Sequence, residues 1–151
     1  MRAWQGREPT PAEIPWAPLA KPLTECRVAL ISSAALSHVD DAPFDQESER
    51  RDPWWGDPTH RVLQRGVRAD QVRISHLHID PRPAEEDLDC LMPLRRLDEL
   101  AAAGLVGEAA ARHYSIMGYI LKTDELVEET APKIAAELVG EQVDLALLVP
   151  V

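Results

Sequence analysis

The sequence has few cysteines, the residues that form disulfide bonds and many structural metal sites. Its 151 residues include two cysteines, Cys26 and Cys90, which form neither a CxxC pair nor a metal-ligand spacing. This pattern is typical of a reducing compartment and argues against a disulfide framework. No apolar run approaches the roughly 20 residues of a membrane helix, and the N-terminus lacks the continuous apolar core of a signal peptide. We therefore expect a soluble, cytoplasmic protein.

Positive charge is also in deficit. Lys and Arg total 16 against 26 Asp and Glu, which gives a formal net charge of -10. Nucleic acid and anionic membrane are not expected partners of such a chain. Neither a glycine-rich phosphate loop nor a GxSxG elbow occurs, so nucleotide binding and serine hydrolysis gain no support.

Hydrophobic residues make up 45% of the chain, which is enough for one packed domain. Residues 1–25 form a proline-rich arm with Trp4 and Trp16, which we expect to wrap over a surface because proline excludes regular helix and central strand. Residues 26–151 form the predicted domain.

Short apolar runs and helical periodicity alternate along this domain. Strands are predicted at residues 28–31, 61–63, 72–78 and 143–149, the last as a buried strand. One helix is predicted to begin near Pro93 and stop at Gly104. Another is predicted over residues 123–140, kinked or split at Pro132 and terminated by Gly140.

This order predicts an α/β domain with a mostly parallel sheet flanked by helices. Between the first two strands, residues 37–60 are predicted to form a long loop with the Trp54–Trp55 pair docked. A final strand without following helices would leave part of a parallel sheet uncovered, so we expect association through that surface.

The segment SHLHID is the first candidate site. If it is extended, His76, His78 and Asp80 share one face of the strand, and two imidazoles with a carboxylate can bind zinc or iron. The segment resembles the HxHxDH signature of metallo-β-lactamase-type hydrolases, but residue 81 is Pro and the one later histidine is His113. Ordinary hydrogen bonding is favoured over metal binding, and a metal-dependent hydrolase is the enzymatic alternative.

Two further polar groups follow strands. Ser33, at the end of the first predicted strand, can bind a carboxylate or phosphate, and His38 can act in proton transfer with the acidic residues after it. Arg112 and His113 can line a pocket for a carboxylate substrate, with Arg112 as the counter-charge. Turn, capping and core roles remain the alternatives for each of these residues.

Seven segments, in order from Cys26 to Val151, together resemble the selenoprotein B family of glycine, sarcosine, betaine and D-proline reductases. They are RVALISSAAL, DDAPFD, RISHLHID, DLDCLMPLRRLDELAAAGLVG, RHYSIMGYI, ETAPKIAAEL and VDLALLVPV. In that family the last strand is followed at once by a Sec-x-x-Cys or Cys-x-x-Cys motif.

The resemblance implies reductive cleavage of a carbon–nitrogen bond by a selenolate, with a pyruvoyl group on a partner subunit and electrons from thioredoxin-like dithiols. It implies that the nucleophile stands directly after Val151, where a UGA codon encodes selenocysteine, and that this chain is the front part of a longer subunit. The 151 residues are then expected to be inactive alone, and a non-catalytic binding subunit is the remaining alternative. The substrate-pocket candidates are Ser33, His38, His76, His78, Asp80, Arg112 and His113.

Overall fold

The computed structural model describes residues 17–52 and 55–151. The expected surface contacts of Trp4, Trp16 and Trp54 lie outside the described residues. Nothing in the described part of the chain is a helix long and apolar enough to cross a bilayer.

The described residues form strands and short helices in alternation. The strands are β1 Arg27–Ser32, β2 Leu36–His38, β3 Arg61–Gln64, β4 Val72–Ile74, β5 Glu108–Ala109, β6 Arg112–Ser115 and β7 Leu145–Val149. The α-helices are α1 Gln46–Arg51, α2 Arg82–Glu86, α3 Leu94–Ala102 and α4 Ala131–Gly140. Short 3₁₀ turns occur at Leu23–Glu25, Ala69–Gln71 and Leu88–Cys90, and a π-helical segment at Leu126–Thr130.

The main sheet is built around β1, whose apolar run is almost wholly buried. β7 pairs with it in parallel, from Val28 opposite Leu145 to Ser32 opposite Val149. β5 and β6 also pair in parallel with β1, at its start and at its end respectively. β3 joins β6 antiparallel, and β2 pairs with β4 in a separate antiparallel ribbon. The predicted α/β fold with a mostly parallel sheet is confirmed.

Helices cover both faces of this sheet. On one face, Tyr114 of β6 donates from its hydroxyl to Glu137 of α4 at 3.2 Å. On the other, apolar side chains of α3 and the segment before it pack with alternate residues of β1. This main core comprises Cys26, Val28, Leu30, Ala34, Leu36, Leu63, Ala84, Leu88, Leu91, Met92, Leu94, Leu97, Val106 and Ala109.

The predicted last strand is present, but its predicted burial is wrong. Leu147 is 49% exposed and Leu148 is 67% exposed. Consecutive strand residues point to opposite faces, so both faces of the sheet are open to solvent at β7. Within the described residues β7 pairs only with β1, which places it at an edge.

The two predicted helices are present, and their ends show how each is terminated. α3 is followed by Gly104 at φ +69°, the left-handed stop expected from the sequence. α4 ends at Gly140 as predicted, but the left-handed residue that follows it is Gln142, at φ +57°. The predicted break at Pro132 is confirmed as the π-helical turn Leu126–Thr130, which accommodates the ring and the missing N–H of that proline.

Two predictions for the first half of the domain are wrong. The strand predicted to reach His78 ends at Ile74, and the following residues form a turn. The region predicted as one long loop contains β2 and α1. Asp45 caps α1 by accepting from the backbone N–H groups of Glu47 and Ser48, a local signal typical of helix starts.

Candidate functional site

Polar groups meet at the carboxyl end of the central strands. Because β1 and β7 are parallel, both end at the same edge of the sheet. The Ser33 N–H donates to the carbonyl of Val149 at 3.1 Å. The Ser33 hydroxyl accepts from the N–H of Val151 at 2.9 Å, and its Oγ lies 3.5 Å from the Val151 carbonyl oxygen. Ser33 therefore fixes the backbone that leaves β7.

Gly118 lies against this strand end. A Cβ at Gly118 would stand 2.9 Å from the carbonyl oxygen of Ser33, 3.0 Å from that of Val151 and 3.1 Å from Nε2 of His76. Backbone oxygens of two strand ends and one imidazole nitrogen thus crowd the same side of this residue. Only glycine allows so close an approach.

His76 has a defined hydrogen-bonding state. Its Nδ1 accepts the backbone N–H of His78 at 3.1 Å, so the neutral ring carries its proton on Nε2. Burial lowers the pKa of His76, and the nearby His78 lowers it further. His76 is consequently a neutral donor at physiological pH, with its N–H at the Gly118 side of the site.

His78 lies beside His76 and contacts different groups. Its Nε2 is 3.1 Å from Oε1 of Glu49 on α1. Its ring is 4.8 Å from the ring of Tyr119 and 5.9 Å from that of His76, centroid to centroid. Roughly half of the His78 side chain is exposed, whereas the Glu49 side chain is buried.

The turn that carries these histidines is held from both sides. The Gln46 side chain on α1 donates to the carbonyl of Ser75 at 2.7 Å. The Ser75 N–H donates to the carbonyl of Ala35 at 2.9 Å. Ala35 is fully buried and has φ +53°, an unusual left-handed conformation for a residue with a Cβ. Strain of this kind is concentrated at functional sites, which favours this edge of the sheet as the site.

Asp80 and His38 lie apart from this cluster. The Asp80 carboxylate is bound by the Arg82 guanidinium, with Nε at 2.9 Å. His38 is on β2, where its Nδ1 accepts the Asp40 N–H at 3.3 Å, and it lines a separate open cavity of about 410 Å³. The expectation that His76, His78 and Asp80 share a strand face is wrong, because β4 ends before them.

Arg112 and His113 are committed to structural contacts. Arg112 pairs with Glu137 and with Glu141 beside α4, which neutralises the charge expected to meet a substrate carboxylate. His113 is 1% exposed, and its Nδ1 accepts the N–H of Leu30 at 3.1 Å, inside the sheet. Their pocket roles remain predictions, with no geometric support from these contacts.

The sequence reasoning missed Glu49, Gly118 and Tyr119. Gly118 lies within the segment RHYSIMGYI, three residues after β6, and a glycine close to a strand end can indicate a close backbone approach. Glu49 lies in a charged run that has the appearance of a solvated surface, so no signal in the sequence marks its burial.

The candidate site has three features. His76 provides a hydrogen-bond donor, His78 provides an oriented imidazole, and Ser33 holds the backbone that follows β7. The described residues contain no group of three or more His, Cys, Asp and Glu side chains arranged to hold a metal ion. The pairing of Asp80 with Arg82 removes the third ligand on which the hydrolase alternative depends. Anion binding and proton transfer are the chemistry that this geometry allows.

Comparison with known proteins gives one curated match. The chain is 29% identical over 133 residues to D-proline reductase subunit gamma of Acetoanaerobium sticklandii. The aligned region covers 88% of this chain and 52% of that protein, so the chain spans about half the length of the curated relative it matches. No protein-family model and no solved structure matches the chain. The similarity supports a distant relationship to the amino-acid reductases.

Proposed function

We propose that this chain is the front part of a selenoprotein B-like subunit of an amino-acid reductase, which cleaves a carbon–nitrogen bond reductively. The observation that carries the proposal is the convergence of Ser33, His76 and the backbone of Val151 around Gly118. The distant similarity to a reductase subunit supports it independently.

In this proposal the nucleophile is a selenocysteine or cysteine directly after Val151, in a Sec/Cys-x-x-Cys motif. Ser33 fixes the exit of the chain from β7, so the position of the next residue is set by the strand end. The Nε2–H of His76 is the donor available to stabilise a selenolate or thiolate there. A selenol has a lower intrinsic pKa than a thiol, so it is ionised at neutral pH without a dedicated base.

The reaction requires further components. We propose a partner subunit whose pyruvoyl group activates an amino substrate, and a thioredoxin-like dithiol as electron donor. Glycine, sarcosine, betaine and D-proline are the candidate substrates, and the name of the curated relative makes D-proline the first to test.

The nucleotides after the Val151 codon provide the first test. The expected result is an in-frame UGA or cysteine codon, followed two codons later by cysteine and by further α/β sequence. An ordinary stop codon with no such continuation contradicts the proposal.

The second test is biochemical. The extended subunit, produced with its partner subunits and a dithiol, should cleave one of the four amines, whereas the 151-residue chain alone should give no turnover. Turnover by the 151 residues alone, or none of the four amines cleaved by the assembled enzyme, would overturn the proposal.

A further inference from the structure

The buried carboxylate of Glu49, which contacts His78, is not used in the proposed function. Glu49 is 4% exposed, although it belongs to a six-residue helix otherwise rich in exposed charge. One of its oxygens lies 3.1 Å from His78 Nε2. The other, Oε2, is buried without a hydrogen-bond partner in the part of the chain that the structure describes.

Such a placement is unfavourable for folding alone. A carboxylate loses its hydration on burial, and a single hydrogen bond does not compensate for that loss. Glu47, two residues earlier on the same helix, shows the ordinary arrangement, since it is exposed and pairs with Arg51. The position of Glu49 is therefore explained by what it does to His78 rather than by stability.

The carboxylate orients the imidazole. Because Glu49 accepts from Nε2, the neutral ring of His78 has its lone pair on Nδ1. The ring of Tyr119 packs against that of His78 at 4.8 Å and limits its rotation. About half of the side chain is exposed, and Nδ1 has no hydrogen-bond partner in the described part of the chain, which leaves this nitrogen free to exchange a proton.

His78 is linked to the proposed reaction centre through Tyr119. Tyr119, which packs against it, follows Gly118, and Gly118 lies against the Val151 carbonyl. His76 cannot serve the same purpose, because its Nδ1 is occupied by a backbone N–H. The two neighbouring histidines thus have different chemistry. His76 is a fixed neutral donor, whereas His78 has a ring nitrogen, Nδ1, that is bound to no other described residue.

We propose that His78 is the acid–base residue of this site and that Glu49 is its positioning residue. The inference rests on the proposed function. As the selenolate or thiolate forms its bond to the α-carbon, the carbon–nitrogen bond breaks and its electron pair remains on nitrogen. The His78 imidazolium then transfers the Nδ1 proton to that nitrogen and becomes neutral imidazole. The electrons that later release the carbon fragment come from the dithiol.

The first experiment is independent of activity. Nitrogen NMR of ¹⁵N-histidine in the 151-residue protein should show neutral His78 as the Nε2–H tautomer. Glu49→Met removes the acceptor, so His78 should become a mixture of tautomers while the protein stays at least as resistant to urea as the wild type. Glu47→Met, on the same helix, should leave the His78 tautomer unchanged. An unchanged tautomer in Glu49→Met, with lower resistance to urea, would show that Glu49 is structural and would overturn its positioning role.

The second experiment uses the assembled reductase. His78→Gln should lower kcat by about 10²-fold or more with little change in KM, as expected for loss of a general acid. Glu49→Met should lower kcat by roughly tenfold, as for loss of an orienting partner, and Glu47→Met should not. If the wild type is active and His78→Gln retains its kcat, the inference fails while the proposed function stands. If the wild-type assembly cleaves none of the four amines, the proposed function fails, and the NMR result still decides the orientation of His78.

Discussion

His113 is a single imidazole that takes the place of a backbone acceptor within the sheet. β5 and β6 are separate strands along β1, and between them the N–H of Leu30 is satisfied by Nδ1 of His113. Burial lowers the pKa of His113 to about 4, against the opposing charge of Asp98. The ring is therefore neutral in the folded protein and becomes protonated readily only after unfolding.

The stability should accordingly fall as the pH is lowered. The folded pKa of His113, about 4, is below the ordinary value of 6.5, so its contribution is fully present above 6.5 and is lost between 6.5 and 4. From about pH 7.5 to about pH 5 this one group should lower the free energy of unfolding by about 2 kcal/mol. Urea titrations at the two pH values measure the change.

His113→Gln is the matching variant, because the amide oxygen can accept the Leu30 N–H without titrating. The fall in unfolding free energy should shrink by about 2 kcal/mol. A shallower dependence should remain, since the pKa values of His60 and His76 are also lowered by burial. Equal slopes for the variant and the wild type would rule out His113 as the source.

The close packing around Gly118 can be tested by substitution. Gly118→Ala places a methyl group about 3 Å from two backbone oxygens, which cannot move as a flexible side chain can, so we expect a loss of about 1–3 kcal/mol. Gly140→Ala is the control, because its Cβ would meet no atom within 4 Å and its residue ends α4. The control should be neutral or more stable by up to about 1 kcal/mol. Thermal or urea unfolding should show a loss of stability for Gly118→Ala and no loss for Gly140→Ala, and a harmless Gly118→Ala would contradict the crowding.

Some site residues can be predicted from the sequence around them, whereas others depend on contacts that are distant in the sequence. Ser33 follows an apolar run, and the end of a parallel strand is a position that sequence reasoning can find. His76 is predicted as a pocket residue on an extended strand, whereas it lies in the turn after β4, at the candidate site. Its hydrogen-bonding state depends on a turn that backbone contacts from α1 and Ala35 impose. Such long-range constraints leave no periodic pattern in the chain.

Among the elements, α4 ends in a way that costs stability. Gln142 adopts φ +57° just after the helix, a conformation that disfavours residues with a Cβ. Gln142→Gly should stabilise the protein by about 1 kcal/mol, since the residue is exposed and its side chain makes no hydrogen bond within the described part of the chain. Chemical denaturation measures the gain.

The glycine at the end of α3 allows the opposite substitution to be used as a control for Gln142→Gly. Gly104 has φ +69°, and a Cβ there would meet no atom within 4 Å, so Gly104→Ala isolates the backbone cost. It should destabilise the protein by about 1 kcal/mol. If Gln142→Gly lowers stability instead, the left-handed conformation at the end of α4 is not a source of strain.

Elements with strong periodicity were predictable, and elements defined by pairing were not. β1 and α3 have apolar patterns that determine their type from local sequence. β2 has three residues and exists because β4 pairs with it, from Leu36 opposite Ile74 to His38 opposite Val72. β4 stops where that partner ends, although alternating apolar residues recur one position out of phase at Leu77 and Ile79. Pairing of this kind is a tertiary property, and local propensity does not reveal it.

At the scale of the whole molecule, β7 brings two properties together. Its carboxyl end forms part of the candidate site, and its outer edge and both faces are exposed. An open parallel edge with leucines on both faces favours pairing with another strand. The net charge of -10 opposes self-association over longer distances, and salt screens that repulsion. Association of the 151-residue protein should therefore increase with ionic strength.

Association through the β7 edge can be distinguished from association through exposed apolar residues in general. Leu148→Lys places a charge on β7 without disturbing the core, because the native side chain is 67% exposed. It should shift sedimentation at physiological salt toward the monomer, since a lysine on an edge strand opposes strand addition. Leu105→Lys, at a residue 58% exposed in the loop after α3, is the control and should leave association unchanged. If the wild type is already a clean monomer at high salt, or if both variants reduce association equally, the edge of β7 is not the contact surface.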